Sequence, residues 1–199
     1  MSLASILGDT PIAEFLNAHY EREPLLIPQG AHRLLGSLTP ASLEELLFCS
    51  EDVASEFVDV FKDGAEIVPS PVDVGRGFLR WLRQQFQQGA TLVVNGLDRR
   101  HLGLARLSRR LASDLATQVS AVAFLTPESS QGFSPHFDTS EILVVQLDGH
   151  KMWRLYENPN VEVPTLPSLQ QGFLLSCPEE AGTPTLELQL RSGDMLYVP

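Results

Sequence analysis

The chain has 199 residues, of which 43% are hydrophobic and 20% charged, an ordinary balance for a soluble globular protein with one large domain or one and a half. Its formal net charge of −11 at pH 7 disfavours a phosphate-binding surface, so no direct nucleic-acid partner is expected, and no apolar run approaches membrane-spanning length. The two cysteines, Cys49 and Cys177, form neither a disulfide framework nor a metal-type pair, and the first nine residues lack a basic segment; a cytoplasmic protein without signal peptide or membrane partner is the expectation.

Residues 11–20 read as a short helix, with Asp9 or Thr10 placed to cap it and Pro11 suited to its first turn. Residues 24–27 form a short apolar strand. Residues 39–48 predict a second helix, capped by Thr39 and opened by Pro40, with Leu43, Leu46 and Leu47 as its apolar stripe. Residues 56–61 alternate like a strand, which Asp63-Gly64 ends in a turn, and Pro69 and Pro71 mark a linker. Residues 74–88 look helical, with Phe78, Leu79, Leu82 and Phe86 facing inward and Gly89 placed to stop the helix. Residues 91–95 are a buried strand. In a longer helix from about 99 to 117, Leu104, Leu107, Leu111 and Leu115 recur at helical spacing, and five arginines, Arg99, Arg100, Arg106, Arg109 and Arg110, make a solvated face.

From residue 119 the character changes. The segments 119–126, 141–147, 151–156, 185–190 and 194–198 read as strands, and the proline-rich stretch 158–183 as a long loop. There is no internal repeat. Helices first and strands afterwards predict an α+β protein, with residues 1–118 packing on a β-sandwich or jelly-roll core formed by 119–199.

The chemistry concentrates between residues 134 and 151. His136 and Asp138 are two apart, and in extended backbone residues two apart point to one face. An imidazole nitrogen and a carboxylate oxygen then lean toward one point, as two ligands of a small divalent metal do. Two histidines and one carboxylate, with the opposite positions open, mark non-haem Fe(II) oxygenases; this sequence supplies one histidine and the carboxylate. Lysine is used only at positions 62 and 151 among fourteen basic residues, and Lys151 follows the tight Asp148-Gly149 turn. If 141–147 and 151–156 pair as a hairpin, Lys151 returns toward the metal end and offers its cation to an anionic cosubstrate. A Ser134–His136–Asp138 hydrolase triad is disfavoured, because neighbours on one strand do not readily form the nucleophile–base–orienter chain. His150, beside Lys151 in a turn, is a weaker candidate ligand; His19, His32 and His101 read as surface or capping histidines.

Residues 126–138, Thr-Pro-Glu-Ser-Ser-Gln-Gly-Phe-Ser-Pro-His-Phe-Asp, and residues 141–156, Glu-Ile-Leu-Val-Val-Gln-Leu-Asp-Gly-His-Lys-Met-Trp-Arg-Leu-Tyr, closely resemble the JmjC-type ribosomal oxygenases of the cupin superfamily. The likeness is strongest over about 119–157 and looser, but in order, over the rest. It implies a double-stranded β-helix with N-terminal helices, incomplete at its C-terminal end. It implies Fe(II) bound by His136 and Asp138, and Lys151 paired with the distal carboxylate of 2-oxoglutarate. Family members run from the strand at 194–198 into a turn carrying the second histidine, beyond Pro199. With two of three protein ligands, the chain by itself is expected to bind iron weakly and to be impaired as an enzyme. The implied activity is hydroxylation of a protein or peptide side chain, such as one in a ribosomal protein, with a homodimer in longer members. A small-molecule or peptide hydroxylase and a non-catalytic cupin-like scaffold are the alternatives. Val144 would line the pocket or pack the core, Trp153 and Tyr156 read as core and rim, and Phe124 and Val122 stand where the family often has Tyr and Asn.

Overall fold

Long-range strand pairing, more than helix packing, organises the chain. The computed structural model describes residues 2–31, 34, 38–49, 51–71, 73, 77–131, 133, 135, 136, 138–157 and 182–199. The expected loop 158–183 therefore lies almost wholly outside the described residues. The chain divides into two compact units, residues 40–134 and residues 1–39 together with 135–199.

The first of these units is built on an antiparallel sheet of β2 (Val58–Lys62), β3 (Ala65–Glu66), β4 (Thr91–Val94) and β5 (Ala123–Leu125), in the order β3-β2-β4-β5. All four residues of β4 are buried, which its Thr-Leu-Val-Val sequence suits, since β-branched and aliphatic side chains pack well on a pleated surface. The helices are α3 (Pro40–Cys49), a 3₁₀ turn (Glu51–Glu56), α4 (Phe78–Gln87), α5 (Leu97–Arg100) and α6 (Leu102–Leu115). α4 buries Phe78, Trp81 and Leu82, with the Phe78 and Trp81 rings stacked 5.5 Å apart. The single helix expected over 99–117 is broken at His101, whose backbone is extended and whose Nδ1 accepts the Leu104 N–H at 3.3 Å, so that it caps α6. Just before the break, the Arg100 guanidinium lies 3.9 Å from the Phe57 ring centre. The strand expected over 119–126 is shorter: only Ala123–Leu125 pairs, against Leu92–Val94.

The second unit begins with α1 (Leu3–Ile6), which the sequence reading missed; four residues are too few to show a helical period, yet Leu3 and Ile6 are buried. α2 (Ile12–Glu14) runs directly into a π-turn (Phe15–His19), together covering the helix expected at 11–20. β1 (Leu25–Ile27) then pairs with β9 (Met195–Val198), and β9 pairs on its other side with β6 (Ile142–Val145), all antiparallel. β9 is thus a central strand, and Met195, Leu196 and Tyr197 are all at most 1% exposed. The Phe15 ring meets the Tyr197 ring edge-on at 5.0 Å, Tyr20 stacks on the same ring at 6.3 Å, and the Tyr197 hydroxyl accepts the Glu21 N–H at 2.8 Å. A separate ladder joins β7 (His150–Leu155) to β8 (Leu186–Arg191).

The expected hairpin between the strands before and after Asp148-Gly149 does not form. β6 pairs with β9 and β7 with β8, so the chain leaves one sheet and joins another at residues 146–149, and returns at 192–194. The two bends are bonded to each other: Gln146 N–H to the Asp194 carbonyl (3.0 Å), Gly193 N–H to the Gln146 carbonyl (2.8 Å), Ser192 N–H to the Gly149 carbonyl (3.0 Å) and Ser192 Oγ to the Leu147 carbonyl (2.8 Å). Four residues on one side face three on the other, between the pairs Val145–Met195 and His150–Arg191. That one-residue excess is the geometry of a bulge, which bends a ladder and carries it from one sheet to the next.

Candidate functional site

His136 and Asp138 lie on the segment that leads into β6, and both are exposed. The strand begins four residues after Asp138, at Ile142, with bends at 139 and 140, so the pair sits in a loop and not within a strand. Asp138-Thr139-Ser140 explains the delay: short polar side chains compete for nearby backbone groups and postpone strand pairing. Among the described residues no three His, Cys, Asp or Glu side chains gather as a complete metal cage. Upstream, the Thr126 hydroxyl accepts the Thr91 hydroxyl at 3.1 Å, Gln131 Nε2 donates to the Phe133 carbonyl at 2.9 Å, and Phe133 packs on Phe61 (4.7 Å) and edge-on to Phe124 (5.8 Å). Phe124 and Val122, where a tyrosine and an asparagine are frequent in the resembled family, are both partly exposed.

Lys151 sits on β7, which alternates strictly between exposed and half-buried residues. His150, Met152 and Arg154 face out; Lys151, Trp153 and Leu155 face in. His150 consequently projects from the face opposite Lys151. Across the ladder the inward residues meet Leu190, Leu188 and Leu186, and Leu190 is fully buried. An ammonium thus stands on an otherwise apolar strand face. Burial lowers its pKa from the ordinary 10.5, because desolvation penalises the charged form. The outward face carries an ordinary surface pair, Arg154 Nε to Glu187 Oε2 at 2.5 Å.

Of the other residues singled out in the sequence, Val144 is half-buried on β6 opposite Leu196, and Tyr156 is half-buried just past β7. Trp153 is more informative than its sequence position suggested. Its Nε1 is shut off from solvent and has no hydrogen-bond partner among the described residues. The available signal was register: a tryptophan two residues after the lysine in a strand must share the lysine's face. His19 Nδ1 is likewise buried without a partner among the described residues; His32 lies outside them.

The arrangement is a loop bearing an imidazole and a carboxylate, followed by a strand bearing a partly desolvated ammonium. Comparison with known proteins agrees with the resemblance read from the sequence. The family model for the JmjC domain matches residues 99–199. Ribosomal oxygenase 1 of Gallus gallus is 30% identical over 94% of this chain, and the bifunctional lysine-specific demethylase and histidyl-hydroxylase NO66 of Aedes aegypti is 28% identical over 98%. The chain spans 31% of the length of each of these relatives. Among solved structures, Escherichia coli ycfD superposes with a TM-score of 0.63 at 17% identity, covering 96% of this chain and 48% of its own; ycfD in complex with cobalt and 2-oxoglutarate gives 0.60 at 19%, covering 96% and 46%. At these identities the structures establish a shared fold, and the family match covers more than half of the sequence: the chain belongs to the JmjC domain family and is a relative of the ribosomal oxygenases.

Proposed function

We propose that this chain carries the cosubstrate-binding strand and two metal ligands of an Fe(II)- and 2-oxoglutarate-dependent hydroxylase acting on a protein side chain, of the ribosomal-oxygenase kind. The observation that carries this reading is Lys151, a half-buried ammonium on an inward strand face made otherwise of Trp153 and leucines. Burial partly desolvates this lysine, and a dicarboxylic cosubstrate brings a carboxylate of the opposite charge to it. The relatives support the activity: ribosomal oxygenases and a histidyl-hydroxylase are among them, and ycfD has been crystallised with 2-oxoglutarate.

The donor set fits the metal. An imidazole nitrogen and a carboxylate oxygen are the ligand types that divalent iron takes in such enzymes, and both side chains are exposed. His136 and Asp138 would hold Fe(II) and Lys151 the distal carboxylate of 2-oxoglutarate. When bound, this pair supplies the oxidising chemistry that hydroxylates a C–H bond. The chain's own contribution is positional. Asp138 brings negative charge to the cation, His136 a neutral nitrogen, and Lys151 fixes the far end of the cosubstrate by a charge-assisted hydrogen bond. Leu190, fully buried and directly across the ladder from Lys151, lowers the polarity around that bond, which strengthens it.

The finer architecture follows the same reading. We take β6–β7 and β8–β9, two bent arms paired along their length across one shared corner, as part of a double-stranded β-helix.

Metal and cosubstrate titration tests the function. Lys151→Met should weaken 2-oxoglutarate binding by roughly ten- to a hundredfold, the worth of a hydrogen bond to a charged group, while His136→Ala and Asp138→Ala weaken Fe(II) binding. Metal affinity unchanged in both ligand variants, or 2-oxoglutarate affinity unchanged in Lys151→Met, would sink the reading. The substrate class is checked by mass spectrometry of ribosomal proteins for the gain of one oxygen atom.

A further inference from the structure

We propose that the Trp153 indole N–H and the Lys151 ammonium together form a two-donor cradle for a single carboxylate, so that Trp153 positions the same end of the cosubstrate that Lys151 neutralises. This rests on the cosubstrate reading above and adds a second recognition group to it.

The indole Nε1 is closed to solvent and meets no acceptor among the described residues. Tryptophan has only that one polar hydrogen and no acceptor role, so it cannot satisfy itself by a change of tautomer, as the similarly buried His19 Nδ1 can. A buried donor without an acceptor destabilises the fold, and such donors persist where a ligand or a held water completes them. Register decides which ligand. Lys151 and Trp153 are alternate residues of β7 on one face, their Cα atoms roughly 7 Å apart at the rise of a strand. Their cross-strand partners, Leu190 and Leu188, offer no side-chain acceptor. The unmet indole N–H takes an acceptor, and a carboxylate bound at Lys151 has a second oxygen to offer it. The partial desolvation that lowers the Lys151 pKa also strengthens a neighbouring neutral donor's bond to the same anion.

Trp153→Phe keeps the ring and removes only the N–H. Binding is measured by calorimetry with Zn²⁺ present, for 2-oxoglutarate and for 2-oxopentanoate, which has the same carbon chain without the distal carboxylate. The expected result is about tenfold weaker 2-oxoglutarate binding in Trp153→Phe, the loss of one hydrogen bond to a charged acceptor, with 2-oxopentanoate bound equally by both proteins. The proposal is overturned if Trp153→Phe binds 2-oxoglutarate like the wild type or loses both ligands alike. Lys151→Met tells the two ideas apart: lost 2-oxoglutarate binding there, with none lost in Trp153→Phe, removes the Trp153 role and leaves the cosubstrate reading intact. Wild type that binds neither ligand removes both. Proton NMR of the unaltered protein gives an independent readout, since the chain has two tryptophans and hence two indole N–H resonances. One should move downfield with 2-oxoglutarate and stay in place with 2-oxopentanoate; no movement with 2-oxoglutarate overturns the cradle even if the variant fails to fold.

Discussion

Lys151 is held under opposing demands, and pH separates them. Burial lowers its pKa below the ordinary 10.5, so between that lowered value and 10.5 the unfolded chain binds more protons than the folded one. The free protein should therefore gain stability from this residue as pH rises through the window. A carboxylate ligand needs the ammonium, so its affinity should fall over the same window. Calorimetric titration of 2-oxoglutarate from neutral to alkaline pH should show weakening that sets in below the pH at which an exposed lysine titrates. Lys151→Arg, charged throughout, should bind less well at neutral pH but lose that dependence. Parallel pH profiles for the two proteins would mean that another group governs binding. The candidate site was legible at this scale because His136, Asp138 and Lys151 are unusual residue types in unusual places: a metal-type spacing, and one of two lysines in a chain whose other basic residues are arginine. Trp153 was not, because a tryptophan in a strand reads first as core, and an unmet N–H becomes visible only once its surroundings are known.

The corner is the element that sends β6 and β7 to different sheets, and its glycines make separable demands. Gly149 has φ +63 and open space where a Cβ would stand, whereas Gly193 has φ +98 and a Cβ there would lie 2.6 Å from Gln29 Oε1. That glutamine is not idle: its N–H and side chain reach the Asp194 carboxylate and the Ser192 carbonyl, and Asp194 also accepts the Arg191 N–H at 2.9 Å. Gly149→Ala should cost about 1 kcal/mol, the penalty of a left-handed residue with a Cβ. Gly193→Ala should cost more, roughly 2–3 kcal/mol, since it combines a backbone conformation nearly reserved for glycine with a clash that breaks the Gln29 contacts. Urea denaturation of both variants checks the ranking, and the reverse order would show that the corner tolerates displacement of Gln29. The sequence revealed Asp148-Gly149 as a turn but not what kind. A two-residue turn between apolar runs is the usual hairpin signal, and nothing local distinguishes it from a bulged bend whose partner, Ser192-Gly193-Asp194, lies more than forty residues away. The same limit explains α6: its leucine period was clear, but the break at His101 depends on a cap that periodicity does not encode.

Across the molecule, elements were easier to foresee than partners. The strand at Leu25–Ile27 was evident from its apolar run, yet its partner is β9, some 170 residues along the chain. This pairing gives β9 a neighbour on each side and lets the N-terminal segment cover Tyr197, whose ring meets Phe15 and Tyr20 and whose hydroxyl accepts the Glu21 N–H. Glu21 adopts φ +57, a conformation a non-glycine residue keeps only when its surroundings fix it. Burial, aided by the nearby Glu141 carboxylate and opposed by the Glu21 amide, pushes the Tyr197 phenol up to about 12. An unfolded tyrosine ionises near 10, so between 10 and 12 the folded state retains a proton that the unfolded chain releases, and stability falls as pH rises. The Lys151 contribution has the opposite sign but ends at 10.5, which leaves the upper part of the window to the tyrosines, with Tyr20 also raised. Tyr197→Phe should lower stability at neutral pH by about 1–2 kcal/mol by orphaning the Glu21 N–H. It should also flatten the alkaline decline, so that wild type and variant converge as pH approaches 12. Urea titrations across that range, with hydrogen exchange at Glu21, supply the check. Curves that stay parallel to pH 12 would mean that burial does not hold the proton on the Tyr197 phenol, and equal stability of the two proteins at neutral pH would mean that the hydroxyl adds nothing to the β1–β9 pairing and the ring packing on Phe15 and Tyr20 that join the two ends of the chain.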